Sequence, residues 1–252
     1  MKYLITAAAL LVASPALAQD KMTLLLDWFI NPDHGPIIVA EELGYFADQD
    51  LEVEIIPPAD PSAPPKLVAA GQGDIAVSYQ PSQHLHVAEG LPLIRVGTLV
   101  ATPLNCLLVL KDGPIQEISQ LKGGTIGFSV AGVEEAVLSA MLGRHGVELI
   151  YVANPDRMDA GQVRRFLRAT ELATQYIVNN PDASWELFKG YAPELDDELN
   201  AKAWVDTLPR FALRPEALDE GRYTRFEAFL AESGLVDGTR PVSALAVDLG
   251  AE

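Results

Sequence analysis

The sequence predicts an α/β fold in which a mostly parallel sheet is covered by helices and followed by a helical C-terminal region. Three observations predict it. From residue 22 onward, short apolar runs alternate with helical stretches of about ten residues. The early helical stretches each stop at a glycine: Gly44, Gly71 or Gly90. Beyond residue 159 the spacing becomes helical throughout, with aromatic residues on the apolar stripes.

Taken in order, residues 22–26 read as a buried strand, 36–43 as a helix with proline in its first turn, and 51–56 as a second strand. Residues 65–70 are helical, 75–78 extended, 82–89 helical and 93–100 extended again. The two strand-like runs 107–112 and 149–154 suit a chain that leaves this unit and later returns to it. Between them, 122–129 carries a strand signal with glycines and 133–142 a buried-looking helix. Asp159 and Gln162 have capping-box spacing, and Val163, Phe166, Leu167, Thr170 and Ile177 then follow one stripe. Further helices are expected over 182–188, 196–208 and 215–233, with Trp185, Trp204, Phe226 and Phe229 at core-like positions. In parallel sheets ligands sit beyond the carboxyl ends of the strands, so binding chemistry belongs in loops 27–35, 79–81 and 101–106.

The chain has 252 residues, 49% of them apolar, enough for a real core. Acidic residues outnumber basic ones 35 to 18, a formal charge of -17. That balance argues against nucleic acid as a partner, because phosphate binding relies on lysine and arginine. The single cysteine, Cys106, can form no internal disulfide and no thiol cluster for zinc or an iron–sulfur centre. Residues 1–18 read as a secretory signal. Lys2 supplies the positive start, 4–13 is an apolar run too short to span a bilayer, and Ala16-Leu17-Ala18 has the small-x-small spacing for cleavage after Ala18. The mature chain is therefore expected to be periplasmic.

Motifs for catalysis are weak. The run 127–131, Gly-Phe-Ser-Val-Ala, imitates a hydrolase nucleophile elbow, but the one later histidine, His145, lies at the far end of the helix that Ser129 precedes. The gentler reading is a helix start whose backbone N–H groups, around Ser129 and Gly132, bind a polar or anionic group. His84 and His86 are spaced i, i+2 on a helix and face apart, so they make no two-histidine metal site. The acidic runs 194–198 and 216–220 lack the glycine of a calcium loop and read as solvated faces. No cofactor is expected, and no enzyme activity.

The segments Asp27-Trp28-Phe29-Ile30-Asn31-Pro32-Asp33-His34-Gly35-Pro36, Gly44-Tyr45-Phe46, 71–78 and 121–127 together resemble the solute-binding proteins of the thiamine-pyrimidine-precursor family, which also includes the fungal pyrimidine synthases. The tryptophan and His-x-Pro stretch is the specific part. The resemblance implies a two-lobed receptor of the periplasmic-binding-protein type II-like fold. Such a receptor closes on a small amino-pyrimidine ligand and delivers it to an ABC transporter permease in the inner membrane. It also implies site roles. Trp28 would stack on a pyrimidine ring while Asn31 and the ring nitrogens of His34 pair with its donors and acceptors. Ser78, Tyr79 and Gln80 would line the opposite wall, with Asn105 a further candidate. A core tryptophan, a capping asparagine and a satisfied buried histidine are the alternative reading of the same residues. Within the fold, a riboflavin precursor, taurine, another sulfonate or nitrate remain open as ligands. The fungal synthases carry a cysteine-rich iron-binding motif that this chain lacks.

One departure from the family pattern is large. A long further stretch, which builds most of the second lobe, normally precedes the returning strand at Leu149; here Val147 runs almost directly into it. Residues 19–110 and 149–252 are thus expected to form the first lobe with its C-terminal helices. Residues 111–148 are a remnant of the second lobe, below the ~40 residues under which a domain rarely folds alone. The remnant could pack on the first lobe as an extra strand and helix. A truncated protein without binding activity is the remaining alternative.

Overall fold

The computed structural model describes residues 19–102, 107–127, 138 and 148–250. The strands are β1 (Asp20–Leu25), β2 (Leu51–Ile56), β3 (Ile75–Tyr79), β4 (Ile94–Val100) and β5 (Leu149–Ala153). They form one sheet of order β2-β1-β3-β5-β4. β1 pairs in parallel with β2 and β3, whereas β5 lies antiparallel between β3 and β4. Four strands therefore run one way, as expected, and β5 runs against them.

Alternation along the strands divides two cores. Leu24, Ile75, Val77 and Tyr151 face one side, where they pack with Ile37, Phe166 and Trp204. Leu25, Ala76, Ile150 and Val152 face the other, with Val68 and Leu93. The first face is covered by α1 (Gly35–Glu42), α4 (Ala160–Asn179) and α5 (Pro181–Tyr191), with α1 lying on both of the others. α2 (Pro64–Ala69) covers part of the second face, and α3 (Gln80–Ala88) packs beside β3 and β4. Of the four aromatic positions read as core, Trp204 and Phe226 are buried, while Trp185 and Phe229 are partly buried against the core.

The helix stops also appear as read, with Gly44, Gly71 and Gly90 at positive φ. Asp159 caps α4 by accepting the Gln162 N–H, but the Gln162 side chain donates to the Lys21 carbonyl instead of completing a capping box. The last two helices are shorter than expected: α6 is Glu198–Thr207 and α7 is Glu220–Glu232. Residues 215–217 stay out of α7 because their carbonyls are used elsewhere, and Asp219 caps the helix. The buried Arg95 guanidinium donates to the carbonyls of Pro215, Glu216 and Ala217, and Thr98 N–H also donates to Pro215.

The segment 107–127 corrects two expectations. Residues 107–112 and 122–127 form no strand, and the one regular element is a 3-10 turn, Ile118–Leu121. No residue of 107–127 is buried, with Leu108 at 90% exposure and Leu110 at 80%. A strand needs a neighbour for its backbone groups, and none lies beside this stretch among the described residues. It does not pack on the sheet as an extra strand. The signal, residues 1–18, and nearly all of the expected helix 133–142 lie outside the described residues.

Candidate functional site

Because β1, β3 and β4 run in parallel, their carboxyl ends meet at one edge, and antiparallel β5 brings its amino end there too. Leu149 pairs with both Tyr79 and Val100. This register puts Glu148, Gln80 and Ala101 side by side, and Gln80 N–H donates to the Glu148 carbonyl at 3.0 Å. Asp27, just past β1, completes the edge.

Asp27 is the centre of the first wall. One carboxylate oxygen lies 2.9 Å from His34 Nε2 and the other accepts the Tyr79 hydroxyl at 2.6 Å. Burial pushes the Asp27 carboxyl up, but the hydrogen bonds from His34 and Tyr79 outweigh it and hold the group below the usual carboxylate range. Burial pushes the neighbouring Asp33 up, and the charge of Asp27 adds to the rise. Trp28 and Phe29 stand out from this buried knot at 39% and 62% exposure, packed edge to face at 5.7 Å. The loop is anchored at its far end by close packing. A Cβ at Gly35 would lie 2.8 Å from the Trp204 ring, so the start of α1 sits directly against that ring.

Two of the expected ligand-binding residues make hydrogen bonds within the protein. Asn31 is a cap: its side-chain oxygen accepts Asp33 N–H at 2.8 Å and its amide donates to the Phe29 carbonyl at 2.9 Å. His34 is fully buried, with Nδ1 accepting Asn31 N–H at 3.3 Å and Nε2 on Asp27. Both ring nitrogens are engaged inside the protein, so His34 shapes the loop and has no polar atom left for a solute. Ser78 is also buried, one strand position behind the edge. Tyr79 stands at the edge. Gln80 is fully buried, and both of its side-chain amide atoms lack a hydrogen-bond partner among the described residues. Asn105, Ser129 and Gly132 lie outside the described residues.

The sequence reading missed Asp27, Glu148 and Arg222. Arg222 of α7 reaches the edge, where it pairs with Glu148 at 2.9 Å and donates to the Ala101 carbonyl at 3.2 Å. Burial raises the Glu148 carboxyl and the Arg222 charge partly offsets it. Asp27 was within reach of pattern reading, as the first polar residue after a parallel strand. Nothing local marks Arg222, which arrives from a helix distant in sequence. Among the described residues no group of three or more His, Cys, Asp or Glu side chains could hold a metal ion.

The NMT1/THI5-like family model matches residues 31–149. A Haemophilus influenzae protein named as a thiamine biosynthesis protein is 35% identical, over 99% of this chain and 98% of its own length. The chain belongs to the NMT1/THI5-like family. The Haemophilus alignment spans 309 positions against 252 residues here, so at least 57 positions have no residue in this chain. Family relatives carry names of two kinds. A Legionella pneumophila 4-amino-5-hydroxymethyl-2-methylpyrimidine phosphate synthase is 25% identical over 82% of this chain and 86% of its own length. A formylaminopyrimidine-binding protein of Halalkalibacterium halodurans is 35% identical over 52% of this chain and 39% of its own. Among solved structures, a Candida albicans protein described as having the generic periplasmic binding protein fold superposes with a TM-score of 0.64 at 15% identity. That match covers 92% of this chain and 97% of the other. This NMT1/THI5-like chain thus has the periplasmic binding protein fold.

Proposed function

We propose that the protein is the periplasmic solute-binding component of an ABC importer for an amino-pyrimidine precursor of thiamine, and that it does no chemistry on its ligand. The observation that carries this reading is the wall at the end of β1 and β3. A half-exposed Trp28 ring directly follows Asp27, which accepts the Tyr79 hydroxyl. A flat ring stacks on the indole while its polar substituents meet the strand-end edge. The binding-protein name of one relative and the fold support the same conclusion. The single cysteine weighs against the synthase role that other relatives' names carry.

We place the missing positions in the second lobe, with residues 19–110 and 149–252 as the first lobe and 111–148 as the remnant. A ring covered on one face buries about half the apolar area of a ring held between two walls. At ~25 cal/mol per Å² the loss amounts to a few kcal/mol, or about two orders of magnitude in dissociation constant. A second reading, a remnant that no longer binds, is favoured by the absence of any buried residue in 107–127.

Mass spectrometry of ligand released from the purified, denatured protein tests the proposal, with calorimetry against 4-amino-5-hydroxymethyl-2-methylpyrimidine to follow. An amino-pyrimidine in the released fraction and a dissociation constant in the high micromolar range are expected. No binding at millimolar concentration overturns the proposal in favour of the remnant. Tight binding of nitrate or a sulfonate assigns a different solute.

A further inference from the structure

We propose that residues 107–127 are the surface through which two copies of this chain associate, strip against strip. Which solute the sheet edge takes has no bearing on that contact.

The strip is apolar and stands clear of the sheet. Leu108, Val109, Leu110 and Ile118 are all exposed. The backbone groups of Leu107, Leu108 and Val109 make no hydrogen bond among the described residues, which leaves them open to pair with another extended chain. Size is sufficient as well. None of the 21 residues is buried, and a stable interface takes about 20–30 residues a side.

Charge identifies the occupant. The whole chain carries a formal charge of -17, yet the strip sets Lys111 and Lys122 against Asp112 and Glu117 and is neutral. Two copies that meet here oppose no net charge, and a two-fold axis lets the lysines of each face the acids of the other. Exposed apolar side chains on α6 offer no such place. Leu199 follows Asp196, Asp197 and Glu198, and Val205 precedes Asp206, so a second acidic copy is repelled there.

Sedimentation equilibrium of residues 19–252 tests the contact. A monomer–dimer equilibrium is expected, and added sodium chloride should strengthen it, because salt screens the repulsion between two acidic bodies and leaves an apolar contact intact. Leu108→Asp and Leu110→Asp should each weaken dimerisation about thirtyfold or more, by placing an unpaired carboxylate in that contact. The melting temperature of the dilute, monomeric chain should not move with either change. Leu199→Asp should leave the equilibrium as it is. A chain that stays monomeric at millimolar concentration overturns the proposal. So does a dimer that weakens as salt is added, one that survives both strip substitutions, or one that is lost with Leu199→Asp. If the strip variants do not fold, trypsin on wild type decides. Cleavage after Lys111 and Lys122 should slow as the protein is concentrated at a fixed protease ratio, and a rate independent of concentration overturns the proposal.

Discussion

The runs 107–110 and 149–152 are both apolar, Leu-Leu-Val-Leu and Leu-Ile-Tyr-Val, and their fates are opposite. The second lies between two strands, hydrogen-bonded on both sides and wholly buried; the first pairs with nothing among the described residues and is largely exposed. Strand propensity at the two sites is comparable, so propensity does not decide between them. What decides is whether a partner edge and a second layer are present to satisfy the backbone and take the side chains. The sheet and its covering helices supply both to 149–152.

The contrast is broken most strongly from the sheet side. Ile150→Ala removes a fully buried side chain between two paired strands and should cost about 2–5 kcal/mol in urea unfolding. His34→Ala comes next. It strips a partner from the buried Asp27 carboxylate and from Asn31 N–H, and should lower stability by roughly 2–3 kcal/mol. A melting temperature unchanged from wild type would show that the loop is held without it. Trp28→Ala separates binding from folding. Its half-exposed ring should carry ~1–3 kcal/mol of affinity by stacking, read by calorimetry, with the unfolding midpoint barely moved.

Acid sharpens the comparison, since among the described residues the charged contacts that join distant elements lie outside 107–127. Burial raises the Glu227 carboxyl, but hydrogen bonds from His84 and Arg240 outweigh it and leave the group below its ordinary value of 4.5. A lowered folded value stabilises the native state above the unfolded value, and the benefit is lost as pH falls through the folded one. Stability should therefore decline below about pH 4.5, and Glu227→Gln should flatten that limb. The smallest effect belongs to the segment. Leu110→Ser should change unfolding free energy by less than ~0.5 kcal/mol, because the side chain is 80% exposed already. In the same segment, trypsin should cut first after the exposed Lys111 and Lys122, before any site in the strands.

Much of the sheet lobe was legible because its information is local. The alternation of apolar runs, the proline-led helix starts and the glycine stops at Gly44, Gly71 and Gly90 act within a few residues of themselves, and β1 to β4 follow from them. The antiparallel insertion of β5 and the late start of α7 were not legible. Both depend on groups far apart in sequence, the edge of β3 in one case and the guanidinium of Arg95 in the other. The site divides in the same way. Trp28 and Tyr79 could be placed from their positions at strand ends. The inward commitment of Asn31 and His34 could not, because an asparagine and a histidine read identically whether they face a solute or their own backbone. Arg222 came into view only with the fold.

The outer edge of β4 is closed by residues from the far end of the chain. Arg95 N–H donates to the Leu245 carbonyl, Val247 N–H donates back to Arg95, and the Gln83 side chain reaches Leu245 as well. A polypeptide emerging from its amino terminus thus lays down β1 to β4 with a gap where β5 belongs and a bare edge where the tail belongs. The gap is filled once residues 149–153 have appeared, but the edge stays bare until residues 245–247 follow. The nascent protein should therefore remain open at that edge, and dependent on chaperones, until residues 245–247 have been made.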